Sequence, residues 1–229
     1  MMALDVGYMP KKRIARRAQE LIDAFAGDRE GDRKAPINVE LIAERHLGLG
    51  LEIEDLSARL GVTGVLGAVW FDEGIVRIDE GVEHDGRYAF TLAHELGHWV
   101  LHRPLWESKQ IEVPLFSLDG AEPTPAVVCR SDKKPQAEWQ ADYFASCLLM
   151  PEPLVRETIA ELYGRDLPRW EGFNALVKER EYDPDLAHVA SVVIEAGGFD
   201  NVSKQAMGIR LKELALVGDA SDPVQETLF

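Results

Sequence analysis

Residues 91–104 read TLAHELGHWVLHRP, a stretch with three of the chain's six histidines and a glutamate wedged between two of them. The segment predicts a helix that starts near Asp85 or Gly86 and stops by Pro104, since proline has no N–H to continue the ladder. On such a helix His94 and His98 lie about 40° apart in azimuth and one turn apart in height, so both imidazoles can converge on one cation. Glu95 lies about 100° round from His94, near enough to address a water on that cation without ligating it. A cation can lower such a water's pKa to about 7, leaving a carboxylate to collect the proton. Gly97 sharpens the pattern: an interior helix glycine costs about 1 kcal/mol relative to alanine, so a packing or access reason is expected.

Three protein ligands with one open position is the catalytic zinc arrangement, so a third ligand is needed. His102 is nearest in sequence, but it sits about 12 Å along the helix axis from His94, too far for one ion to reach both readily. The extended pattern with a glycine three residues and a histidine six residues after the second histidine is excluded, because Leu101 and Pro104 stand there. His102 reads instead as a residue supporting the site or as a cation in the last helical turn, where a positive imidazole suits the dipole. A carboxylate from a later helix is the better ligand. Glu138 and Asp142 form an ExxxD pair on one helix face, repeated only by Glu179/Asp183 and Glu181/Asp185 beside Pro184. Glu138 opens a helix rich in apolar residues, where a buried carboxylate needs a partner, and is preferred on that ground. Asp142 could then accept from the second nitrogen of a ligand imidazole and fix its tautomer.

Composition narrows the function classes. The chain has 229 residues, 46% hydrophobic, with a formal charge of −15, which suits one sizeable globular domain, or a core domain with a small helical appendage. No apolar run approaches the length of about 20 residues that spans a bilayer. The N-terminus has basic residues without an apolar segment behind them, so it does not read as a secretory signal. Cys129 and Cys147 make no disulfide framework, and a cytoplasmic protein with reduced thiols is expected. The acidic balance argues against direct nucleic-acid binding. Lys11, Lys12, Arg13, Arg16 and Arg17 read as the solvated face of a first helix whose other side carries Ile14, Ala18, Leu21, Ile22 and Phe25.

Along the chain, NVELIAERHLG (38–48) predicts a short helix capped by Asn38 and ended by Gly48, with His46 as a partly buried spacer. GLEIEDL reads as a strand, and VTGVLGAVWF and IVRID as a hairpin around DEG. The strand IVRID could take an extended peptide by edge pairing. Residues 105–135 hold four prolines. They could contain a strand (IEVPLF) and a mobile flap over a site. Further helices are expected in QAEWQADYFASCLLMP, PEPLVRETIAELYG, LPRWEGFNALVKERE, LAHVASVVIEA and SKQAMGIRLKELAL, the last capped by Ser203. The expected division is a core over 1–151, C-terminal helices over 152–217 packed on it, and a flexible tail over 218–229.

RYAFTLAHELGHWVLH followed by EWQADYFASCLLMP resembles the ImmA/IrrE family of bacterial metallopeptidases, which are gluzincin-like. The resemblance extends over most of residues 14–151, and SKQAMGIRLKELAL is similar to the family's C-terminal helix. It implies an α+β fold: a zincin-like core with a small, mainly antiparallel sheet packed on helices. It implies His94, His98 and Glu138 as metal ligands, Glu95 as general base and Asp142 behind a ligand. The implied cofactor is Zn²⁺, with Mn²⁺ or Fe²⁺ as alternatives. The implied substrate is a helix-turn-helix repressor of the XRE type, encoded nearby. An oxyanion donor is expected from Tyr88, Arg87, His102 or Tyr143. The alternative reading is a module that sequesters a regulator without cutting it.

Overall fold

The computed structural model describes residues 6–27, 29–110, 127–128, 136–174 and 183–221. Helix α1 (Lys11–Ala26) buries Ile14, Ala18, Leu21, Ile22 and Phe25 on one face, so its basic residues lie outward as the periodicity predicts. Lys11 is held by Glu213, and Arg16 and Arg17 pair with Glu20. Asn38 Oδ1 accepts from Leu41 N at 2.9 Å and starts α2 (Val39–Leu41). A π-type turn over Ile42–His46 and the positive φ of Gly48 close that element. His46 is exposed rather than partly buried, its ring meeting Phe25 edge-on at 6.3 Å.

Strand β1 (Gly50–Glu54) is followed by a short helix the sequence reading missed, α3 (Leu56–Leu60), capped by Asp55 accepting from Ala58 N at 2.8 Å. Strands β2 (Gly67–Trp70) and β3 (Ile75–Asp79) form the expected hairpin, antiparallel with Gly67 opposite Ile78. β4 (Val127–Val128) pairs antiparallel with β2, and β1 pairs parallel with β3, giving the order β1-β3-β2-β4. The IVRID strand is therefore interior. It cannot take a peptide by edge pairing, because β1 and β2 already occupy both of its edges.

The pleat sorts the sheet into two faces. Val69, Val76 and Ile78 join the main core with Leu92 and Leu96 of α4 (Asp85–Gln110). Ala68 and Trp70 make a smaller core with Leu56 and Val65. On that second face the Arg77 guanidinium lies 4.3 Å from the Trp70 ring centroid and donates to Glu52 at 2.6 Å and Glu73 at 3.1 Å.

Helix α4 does not stop at Pro104 but continues through Gln110. An interior proline costs about 3 kcal/mol or more, and side-chain contacts along the helix and one tertiary ring contact accompany its continuation. Arg103 pairs with Glu107 at 2.7 Å and lies 4.1 Å over Trp99, while Trp106 meets Phe71 edge-on at 6.1 Å. The IEVPLF strand expected at 111–116 lies outside the described residues.

Helix α5 (Gln136–Leu149) packs against both α4 and α1. α6 (Glu152–Tyr163), α7 (Pro184–Gly197) and α8 (Lys204–Glu213) complete the helical side. Ser203 caps α8 by accepting from Ala206 N at 3.1 Å. The fully buried Arg210 donates to the Met150 carbonyl at 3.1 Å and ties α8 to the end of α5. The helix expected over 167–181 is replaced at its start by β5 (Arg169–Trp170), parallel to β6 (Gly218–Asp219); residues 175–182 lie outside the described residues. Gly218 and Asp219 are thus fixed rather than part of a loose tail, because the buried Asp219 carboxylate accepts from Asn174 N and Ser221 N. Among the described residues no helix is long and apolar enough to cross a membrane.

Candidate metal centre

The α4–α5 crossing brings His94, His98 and Glu138 together, with one donor atom from each lying within 4.8 Å of the others. Glycine makes the crossing possible. A Cβ on Gly97 would come within 3.0 Å of Ala141 Cα and 3.2 Å of the Ala141 carbonyl oxygen, so only a glycine lets the helices close to this separation. That is the packing reason its helical position demanded.

The Nε2 atoms of His94 and His98 face one another at 3.0 Å, and each meets Glu138, at 3.3 and 3.4 Å. Both Nδ1 atoms are engaged on the outer side: His94 Nδ1 with Asp142 Oδ1 at 2.9 Å, and His98 Nδ1 with His102 Nδ1 at 2.9 Å. Burial lowers the His98 pKa to about 4, with Glu138 opposing, so the imidazole is neutral. Burial opposes ionisation of Glu138, yet the two imidazoles beside it hold its carboxyl far below the usual range.

Glu95 is fully buried, and among the described residues neither of its oxygens has a hydrogen-bond partner; Glu138 Oε2 also lacks one of proper geometry there. Burial pushes the Glu95 carboxyl up to about 8, with His94 opposing and Glu138 adding to the rise. Buried polar atoms without partners are rare and costly, about 1–3 kcal/mol each or more for charged groups. Two inward imidazole lone pairs, an ionised carboxylate and orphaned oxygens make a donor set that fits a divalent cation such as zinc, with three ligands and an open position. The first residue of β2 forms the wall behind Glu95: a Cβ on Gly67 would meet Glu95 Oε1 at 2.9 Å and Thr91 Cγ2 at 2.7 Å.

The other candidates are placed elsewhere or differently. His102 is wholly buried one turn past His98, with Nε2 3.1 Å from Gln140 Oε1, which leaves it no face for substrate. Burial lowers its pKa with Gln140 opposing, so it is neither a last-turn cation nor in a last turn, α4 running on to Gln110. Tyr88 faces Glu40 in a cavity of about 330 Å³ lined also by Asp85 and Asn201, and burial with Glu40 pushes its hydroxyl up to about 12. Arg87 is exposed at the start of α4. Tyr143 stacks on Trp139 at 5.9 Å with Lys11 5.0 Å over its ring. Burial, then Cys147 and Glu213, push its hydroxyl up to about 12.

Two residues escaped the sequence reading. Gln140 gave no spacing signal. Gly67 gave a weak one, since a glycine inside a strand pattern marks close backbone approach.

Residues 50–170, running from β1 to β5, match the family described as the IrrE N-terminal-like domain. Metallopeptidase ImmA of Bacillus subtilis (strain 168) is 28% identical over 93 residues, 41% of this chain and 44% of that protein, so the match spans under half the length of either. The family match covers more than half of the chain and contains His94, Glu95, His98 and Glu138 together. This chain belongs to the IrrE N-terminal-like domain family of M78 peptidases.

Proposed function

We propose that this chain is a zinc-dependent endopeptidase that cleaves a helix-turn-helix repressor of the XRE type in the cytoplasm. The observation that carries the reading is the orphaned Glu95 carboxyl beside two converging imidazole lone pairs and Glu138. Family membership and the name of the Bacillus subtilis relative support a peptidase. The repressor substrate rests on the family resemblance, and a formal charge of −15 would steer a basic DNA-binding partner toward the chain.

The cation supplies, when bound, polarisation of the scissile carbonyl and acidification of a water. The chain's residues do the rest. His94, His98 and Glu138 would hold the ion, and Asp142 orients His94 through Nδ1. Glu95, confined by Gly67 and Thr91, takes the proton of the attacking water and delivers it to the leaving amine. Burial of His94, Glu95, His98 and Glu138 keeps bulk water from competing with that transfer.

The test is incubation of the zinc-loaded chain with the repressor encoded beside it, read by mass spectrometry. Cleavage should occur, disappear with chelator, and disappear in Glu95→Gln while zinc remains bound. Tight binding of the intact repressor with no cleavage by the zinc-loaded chain would favour the sequestering module instead.

A further inference from the structure

We infer that Gln140 is a positioning residue for this centre: with the Gly7 carbonyl it sets the direction of a buried hydrogen-bond chain that makes His98 present a bare Nε2. The inference rests on the reading of His94, His98 and Glu138 as metal ligands.

Donor and acceptor types leave one direction for every link. The backbone oxygen of Gly7 can only accept, and it lies 2.8 Å from Gln140 Nε2. The amide NH₂ must therefore face Gly7; flipping the amide would set two oxygens against each other. Gln140 Oε1 then faces His102 Nε2 at 3.1 Å, and since it can only accept, the proton sits on His102 Nε2. The wholly buried His102 ring favours the neutral form, and a neutral imidazole protonated there has a bare Nδ1. That atom is 2.9 Å from His98 Nδ1, so His98 is the donor and carries its proton on Nδ1. The lone pair left on His98 Nε2 points to His94 Nε2 and Glu138.

Gln140, His102 and His98 are each exposed by 1% or less, so bulk water cannot break the links among these three side chains and satisfy both ends. The two imidazoles are thus held by different means. His94 leans on the Asp142 carboxylate, whereas His98 leans on an uncharged chain anchored 133 residues upstream of Gln140. Outer partners of this kind are worth about 10- to 100-fold in metal affinity.

The alternative is a buried amide that only packs, and ring-nitrogen spectra separate the two. Long-range ¹H–¹⁵N correlation of the full chain in chelator should show His98 protonated on Nδ1 and His102 on Nε2. His98 protonated on Nε2 would overturn the inference without any variant being made. Gln140→Met should then show His98 in both tautomers and bind zinc about 10- to 100-fold more weakly by competition titration. A Gln140→Met chain that melts earlier yet binds zinc like the parent would mark Gln140 as merely structural and overturn the inference. A parent chain that binds no zinc would defeat the metal reading itself, while the tautomer spectrum would still decide the direction of the hydrogen-bond chain.

Discussion

Gly97 lies against Ala141 so closely that a Cβ on the glycine would stand 3.0 Å from the alanine Cα. Gly97 falls between the two histidines and Ala141 one turn after Glu138, so this contact sets how near the carboxylate comes to the imidazoles. Gly97→Ala would gain about 1 kcal/mol of helix propensity and lose about 1–3 kcal/mol to overpacking against backbone that cannot rotate away. The expected result is a lower melting temperature in chelator and zinc affinity weakened by about tenfold or more, the metal centre bearing most of the shift. Thermal unfolding and competition titration read both.

Glu138 is the only anionic donor of the three. Glu138→Gln replaces it with a neutral amide of the same size. The variant should keep its circular dichroism spectrum and lose stoichiometric zinc after gel filtration, as metal analysis would show. Retention of one equivalent would remove Glu138 from the ligand set.

Glu95 makes stability depend on pH when metal is chelated. Its carboxyl is raised from the ordinary 4.5 to about 8 by burial, so between those values the folded chain holds a proton that the unfolded chain has released. Folded protein binding more protons means stability falls as pH rises through that window, by a few kcal/mol in order of magnitude. Glu95→Gln cannot ionise, so it should exceed the parent in stability at pH 8 and match it near pH 4. Urea unfolding at several pH values checks this; a gap that does not change with pH contradicts it.

Asp142 accepts from His94 Nδ1 at 2.9 Å and keeps the opposite nitrogen bare. Asp142→Ala should weaken zinc binding by about 10- to 100-fold without abolishing it. The same titration used for the other variants measures it.

The ligand helices were legible because helical periodicity alone places His94, His98 and Glu95, and because a carboxylate opening an apolar helix needs a partner. Asp142 followed from the same spacing. What stayed hidden depends on contacts between distant segments. His102 acts through Gln140 on α5, and the orientation of that amide is decided by Gly7, which no local pattern reveals. The interior place of β3 follows from a parallel pairing with β1 that a hairpin rule does not anticipate. Pro104 failed to end α4 because Trp106 and Phe71 hold the following turn in place, a tertiary override of a local rule.

Metal-edge anomalous diffraction from crystals grown with zinc bears most directly on the centre. One anomalous peak should appear about 2.0–2.1 Å from the Nε2 atoms of His94 and His98 and about 2.0–2.2 Å from a Glu138 oxygen. A zinc-saturated crystal with no peak between those three side chains, or with its ion bound elsewhere, would contradict the account.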